Sequence, residues 1–444
     1  MQIQLSEHFD YKKLIRFTLP TITMMIVTSI YSIVDGFFVS NFAGKTPFAA
    51  INLIMPVLMI LGIVGFMFGT GGTALVAATY GAGDKEKANE YFSLLVYTAF
   101  LVGVVFTILG YLLIQPVAGL LGAQGELLKN CILYARIIIS ALPFYMLQVM
   151  FQSFFVAAEK PRLGLVVTIL SGLTNMVLDA VLVILLPQEH KLAGAAIATA
   201  IAQVVGGVVP LIYFFRKNSS FLRLGKTRFD GGVLVRTCVN GSSEFMSNIS
   251  MSIVGILYNA QLMKLGGENG LAAYGVMMYV SMIFASTFVG YCVGVAPVIS
   301  YHFGAENTKE LQGLLRKSLV VICVFGVTMT LAAELLSRPL SAFFVGYDKE
   351  LLELTVYGFR IFSLSFLFMG FGIFTSSFFT ALNDGVTSAI VSFLRTLVFQ
   401  CAAILLLPEI WGLDGVWIAV VAAEVLSLAV GVAFLLAKRG KYHY

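Results

Sequence analysis

The sequence predicts an all-α integral membrane protein of twelve transmembrane helices, arranged as two parallel six-helix repeats, bilobed around a central cleft. Three observations carry that prediction. Of the 444 residues, 59% are hydrophobic and only 11% charged, with a mean hydropathy of +0.93; a soluble domain carries about 25% charged residues. Apolar runs of 18 residues or more recur along the whole length, each able to cross about 30 Å of hydrocarbon. The second half of the chain also repeats motifs of the first. Runs of this length indicate helices, since barrel strands are short segments of alternating polarity.

The runs fall at about 14–43, 48–79, 92–116, 131–157, 163–187 and 193–215, then 233–263, 271–302, 313–336, 354–381, 387–407 and 414–437. The first follows a dozen polar residues. It is too long for a signal-peptide core and lacks a small-residue cleavage site, so it reads as a retained helix. The second run ends in YGAGDKEKANEYF (80–92) and the eighth in FGAENTKELQGLL (303–315). The fourth, within YARIIISALPFYMLQVMFQSFFVAAE (134–159), parallels the tenth, within FRIFSLSFLFMGFGIFTSSFFTALN (359–383), and aligns Arg136 with Arg360. The fifth and eleventh both close on LLP, and LAGAAIA opening the sixth matches LDGVWIA opening the twelfth.

Six spans is an even number, so both halves start on the same side of the membrane. The repeats are then parallel, related by an axis along the membrane normal, with a cleft between them. The expected organisation is an N-lobe at 1–215, a basic linker at 216–232 and a C-lobe at 233–444. No soluble domain fits between the runs.

Lysine and arginine set the orientation. The side holding both termini and the linker carries 19 of them and the opposite side 6, with Arg136, Arg360 and Arg395 within or at the ends of helices. Both termini are therefore expected in the cytoplasm and the chain in the plasma (inner) membrane. The net charge of +5 reads as topology, and no nucleic-acid partner is implied. Snorkelling explains Arg136 and Arg360 near helix starts on the outer side. The five cysteines show no ligand spacing and read as buried free thiols. The GTGG at 69–72 has neither the lysine nor the strand of a phosphate loop, and reads as small residues that let helices approach.

An enzyme would need a nucleophile–base pair, a metal cluster or a motif such as HExxH, and none is present. What stands out instead is ionisable chemistry inside apolar runs, a functional hypothesis by default. Asp35 lies in YSIVDGFFVS of the first run. Asp179 lies in TNMVLDAVLV of the fifth, with Asn175 at i−4 on the same helical face. Thr199 of the sixth can add a hydroxyl. Each has a structural alternative: a packing carboxylate, an interhelical clamp, or a threonine bonded to its own backbone. Together they are two carboxylates, an amide oxygen and a hydroxyl, oxygen donors of the kind that hard cations take. Two carboxylates sharing a dry site must also hold a proton or a cation. The residues leave Na⁺ and H⁺ both open, and no other cofactor is expected.

FTLPTITMMIVTSIYSIVDGFFVSNFAG, the GAGDKEKA loop, NMVLDAVLVILLP and GAAIATAIAQ, in this order, resemble the multidrug and toxic compound extrusion (MATE) family over essentially the whole chain. SFLRTLVFQ resembles its MepA-like branch, and the N-terminal motifs its DinF-like members. The resemblance implies that Asp35, Asn175, Asp179 and Thr199 form a cation or proton site. It also implies export of amphipathic, often cationic compounds by H⁺ or Na⁺ antiport. Glu244, in NGSSEFMSNIS, stands near a functional glutamate of NorM-like members, but the prolines expected around it are missing. It reads as a cavity group or as a salt-bridge partner of Arg395, while Glu424 reads as structural. Tyr31, Gln148, Phe151 and Gln152, with Glu244 and Arg395, are expected to line the substrate cavity, and Pro20 to act as a hinge. The expected partners are the lipid bilayer and small amphipathic or cationic substrates, and the expected state is a monomer. The alternative is a lipid-linked oligosaccharide flippase of the same bilobed plan, which would want several cationic residues in its cavity.

Overall fold

In hydrocarbon every backbone polar group must be satisfied within the chain, and an apolar sequence of this kind does so as helices. The computed structural model describes residues 3–444, with side chains at all of these except positions 37, 40 and 41. Among the described residues there is no strand. In the first half, α1 is Tyr11–Phe38, closed by a π-helical turn at Val39–Ala43, and α2 is Lys45–Gly81. Next come α3 (Lys85–Leu120), α4 (Gly125–Ser140), α5 (Leu142–Ala157), α6 (Pro161–Leu185) and α7 (Lys191–Phe215). The second half holds α8 (Gly231–Asn240), α9 (Ser242–Gly304), α10 (Thr308–Val345), α11 (Lys349–Ser363) and α12 (Phe366–Ala381). It ends with α13 (Gly385–Trp411) and α14 (Leu413–Tyr442).

Among the described residues, nine helical segments are long and apolar enough to cross a membrane. Two more crossings are bent pairs, α4 with α5 at 58° and α11 with α12 at 46°. The 63-residue α9 is interrupted at Gly267 (φ 57°, ψ −149°), and each of its limbs is long enough to cross. The break at Gly267 falls between the runs expected at 233–263 and 271–302. The two bends were not expected from the runs. Pro143 stands at the start of α5 just past the first break, where its ring cannot continue the preceding helix. The second break, at Leu364 and Ser365, has no proline beside it.

The turns joining the helices recur between halves. Gly83 and Glu306 take positive φ after α2 and α9, and Glu159 and Asn383 do so after α5 and α12. Asp84, Asn307 and Asp384 then cap α3, α10 and α13 by accepting backbone N–H bonds.

Small residues decide where the two halves of the chain touch. A Cβ on Gly290 of α9 would stand 2.5 Å from the Ile22 backbone of α1, and one on Gly294 would meet Thr18 at 3.0 Å. Gly81 of α2 abuts Tyr301, and Gly304 of α9 abuts Ala78, each leaving a Cβ about 2.0 Å or less from a carbonyl oxygen. Gly71 meets the Thr237 carbonyl and Gly241 at 2.5 Å, so the GTGG segment does serve close approach. All these contacts lie toward the end that carries the N-terminus, residues 216–230 and the C-terminus.

The N-terminal strap seals the same end. Leu5 and Phe9 are fully buried. The Leu5 amide donates to Glu159 Oε1 (2.8 Å), in the turn before α6, and the Phe9 amide to Glu310 Oε1 of α10 (2.9 Å). His8 Nδ1 lies 2.6 Å from Glu310 Oε2, and Lys317 donates to the Phe9 carbonyl. The linker lies on α3: Tyr80 stacks on Phe221 at 3.8 Å, and Asn89 both donates to the Phe221 carbonyl and accepts from the Arg223 amide. All five cysteines are free; Cys131 and Cys292 are buried as expected, but Cys238 and Cys401 are half-buried and Cys323 is exposed. Its place on the outer face of α10 suits an apolar thiol facing lipid.

Candidate functional site: buried oxygens between α1, α6 and α7

Asp35 sits in the last turn of α1, where the Val39 amide donates to the carbonyls of Asp35 and Gly36 as the helix widens into its π-turn. On α6, Asn175 and Asp179 are one turn apart and only 3% and 0% exposed. Across from them on α7, Thr199 Oγ1 accepts a bond of 3.4 Å from Asn175 Nδ2. That bond spends the amide's nitrogen and leaves Asn175 Oδ1 free. The carboxyls of Asp35 and Asp179 face each other. Asp35 Oδ1, both oxygens of Asp179 and Asn175 Oδ1 are buried without a hydrogen-bond partner among the described residues. None of the described ion pairs involves either aspartate.

Such an arrangement is costly unless something fills it, because buried carboxylates normally find a donor or a cation. The donors are all oxygen, which suits a hard monovalent ion or a proton. No cluster of three His, Cys, Asp or Glu exists among the described residues, so a transition-metal site has no ligands here. Sequence reasoning missed Tyr134 of α4, a 2%-exposed ring within the field of both carboxyls. Its only signal was a tyrosine where the repeat has Gly358. Asp35, Asp179 and Thr199 lie within about two turns of a helix end, whereas Asn175 stands near the middle of α6.

The expected cavity residues fare differently. The Tyr31 ring covers Gly172 of α6, where a Cβ would stand 3.2 Å from it, and feels the Asp35 charge. It therefore belongs beside the acid pair. Gln148 is buried and donates to Ser171 Oγ (3.1 Å), which in turn donates to the Ala202 carbonyl. Phe151 is fully buried, stacked on Phe214 at 5.5 Å and edge-on to Phe92 at 6.4 Å. That is a correction: aromatic packing inside the first half takes its ring away from any cleft wall. Gln152, half-buried, joins Gln148 and Phe151 around a fissure of only about 10 Å³ between α5, α6 and α7. Pro20 lies inside an unbroken α1.

Arg395 and Glu244 are not paired, which corrects the other expectation. The Arg395 guanidinium makes two 2.9 Å bonds to the two oxygens of Glu424 on α14. The π-turn at Leu394–Val398 carries Arg395 toward that helix, and Glu424 is the nearer acid. Glu244, half-buried in the first turn of α9, has no ion-pair partner among the described residues.

Helices long and apolar enough to cross a membrane thus surround a buried, unpaired set of oxygen donors. The family model described as MatE matches residues 20–181 and 245–403, and the chain belongs to that family. It is similar to "Multidrug export protein MepA" of Staphylococcus saprophyticus, 24% identical over 421 residues, covering 94% of this chain and 92% of that protein. A crystal structure of MATE in the straight conformation superposes with a TM-score of 0.92 at 23% identity, covering 98% of each chain. An outward-facing conformation of a multidrug resistance MATE family transporter gives 0.89 at 23% identity, covering 99% of this chain and 98% of that one.

Proposed function

We propose that this transporter is a cation-coupled antiporter that exports amphipathic, often cationic small molecules across the plasma membrane. Asp35, Asn175, Asp179 and Thr199 would hold the coupling Na⁺ or H⁺. The observation that carries the proposal is the pair of facing carboxyls on α1 and α6, three of whose oxygens are orphaned together with Asn175 Oδ1. Similarity to a multidrug export protein over nearly the whole chain supports the cargo class.

In this reading residues 1–215 and 233–444 are two lobes joined by 216–232, with both termini in the cytoplasm, acting as a monomer. The lobes touch at the end of the termini, so the cleft opens to the opposite side. α1 is the coupling element because it meets both partners. Tyr31 and Asp35 face α6, while Thr18 and Ile22 press on Gly294 and Gly290 of α9, and Ser29 meets Ser286. A cation or proton shared by Asp35 and Asp179 removes their repulsion and lets α1 settle against α6. With the site empty, α1 is pushed away and its grip on α9 changes. Pro20 deprives the Arg16 carbonyl of its helical donor and leaves a soft point within the α9 contact, between Thr18 and Ile22. Drug and ion must favour different states for uphill transport. The unpaired Glu244 is the group that would meet a cationic drug.

A flippase for a pyrophosphate-bearing lipid is not favoured, because Glu424 already neutralises Arg395. Ethidium efflux from proteoliposomes, with Na⁺ and proton gradients imposed separately, tests the proposal. One gradient should drive efflux in the wild type and fail in Asp35→Asn. Gradient-driven export by Asp35→Asn at the wild-type rate would sink the coupling role.

A further inference from the structure

On the flank of the first half, α3, α4 and α7 enclose an open groove of about 580 Å³ that the transport mechanism does not use. Its floor is apolar, with Leu133, Ile197 and Ile201 each 40% exposed. Two cations lie along it, Lys129 and Arg136, seven residues apart on one face of α4. Arg136 stands about 16 Å along α4 from its start at 1.5 Å per residue, and long helical side chains lean back toward the N-terminus. Its guanidinium sits 6.0 Å from the centre of the Tyr111 ring of α3. Tyr111 is fixed in turn by a 2.6 Å bond to Ser140, which donates to the Arg136 carbonyl. Neither cation has an ion-pair partner among the described residues.

Snorkelling alone does not account for this arrangement. Arg360, the residue aligned with Arg136 in the second half, donates to Ser337 Oγ (3.4 Å), beside Glu334, which accepts from Ser363. The second half thus surrounds its arginine with acceptors of its own. The first half aims an arginine and a lysine at an open, largely apolar groove whose Tyr111 and Ser140 hydroxyls bond to each other.

We infer that this groove binds an anionic glycerophospholipid of the surrounding bilayer. Its phosphate lies between Arg136 and Lys129, its glycerol end meets Tyr111 and Ser140, and an acyl chain runs over Leu133, Ile197 and Ile201. Phosphate accepts the charge-assisted bonds that a guanidinium offers, and the floor offers nothing polar to a water-soluble anion.

Native mass spectrometry of the purified full-length protein tests the assignment, with phosphatidylglycerol and phosphatidylcholine of identical acyl chains as probes. The wild type should retain phosphatidylglycerol preferentially. Arg136→Gln with Lys129→Gln should reduce that preference more than tenfold, at about fivefold per cation. Ile201→Trp, which fills the floor and leaves both charges, should lower phosphatidylglycerol retention while the protein still elutes as a single folded species. Equal retention of the two lipids by the wild type overturns the inference, as does a preference that survives either variant. Displacement of the bound lipid by millimolar inorganic phosphate also overturns it, since that marks a simple anion site.

Discussion

Breaking the Arg395–Glu424 pair tests the geometry of the second half most directly. Both groups are largely removed from solvent, with side chains 16% and 3% exposed, and both carboxylate oxygens are engaged at 2.9 Å. The stem of Arg395 is packed as well: a Cβ on Gly372 would stand 2.6 Å from its Cδ. Glu424→Gln removes the negative charge and leaves the guanidinium buried and uncompensated. Breaking a buried pair in this way costs about 3–5 kcal/mol, whereas replacing both partners by apolar groups of similar volume is about neutral or stabilising. Glu424→Gln and Arg395→Met should therefore each destabilise by about 3 kcal/mol or more, and the double variant Arg395→Met with Glu424→Leu should recover most of the loss. Reversible unfolding in mixed micelles measures this as a double-mutant cycle. Ethidium efflux by the refolded double variant then separates a packing role, in which export returns, from a transport role, in which it does not. A Glu424→Gln protein within about 0.5 kcal/mol of wild type would refute the reasoning, because it would mean that the guanidinium is solvated.

Three further outcomes follow from other parts of the molecule. Burial works to raise the Asp384 carboxyl, but the Tyr442 hydroxyl at 2.7 Å, the Thr387 amide and Lys438 outweigh it and hold it below the ordinary carboxylate value. A depressed acid stabilises the fold above its unfolded value, and that contribution is lost as pH falls through the folded one. Asp384→Asn should thus cost about 1 kcal/mol at pH 7 and flatten the loss of melting temperature below about pH 4. Phe9→Ala empties a fully buried ring site in the strap. It should loosen the sealed end by up to about 3–5 kcal/mol, read as faster maleimide labelling of a Thr18→Cys reporter between α1 and α9. Gly304→Val would drive a Cβ to 1.9 Å from the Ala78 carbonyl. It should likewise speed labelling of that reporter and abolish export, and an unchanged labelling rate would mean that this end is not held closed by the glycine contact.

Much of the scaffold was legible because apolar length and charge asymmetry are local properties. Run boundaries at 161–185 and 191–215 fell within about two residues of the 163–187 and 193–215 expected. The bend at Ala141 had a signal in Pro143, but the bend at Leu364 had none, since a bent helix keeps the same composition as a straight one. Asn175 and Asp179 were placed on one face by helical spacing alone. That Asp35 meets Asp179, and that Asn175 donates to Thr199, depends on how three helices pack. The reading failed where a residue's environment depends on distant chain. Phe151 went into an aromatic core with Phe214, and Arg395 turned to Glu424 instead of Glu244.

The chain's order of residues determined that it lives in a membrane, crosses it as helices and carries two acids, Asp35 and Asp179, inside apolar runs of its first half. Hydrophobic length and the cost of an unpaired carboxylate act residue by residue and can be read without a fold. Only the tertiary structure decided which acids are paired, which are left facing each other, and which cations are left without a partner. Those outcomes rest on distances of a few ångströms between helices far apart in sequence, and on glycines whose missing side chains let the helices meet.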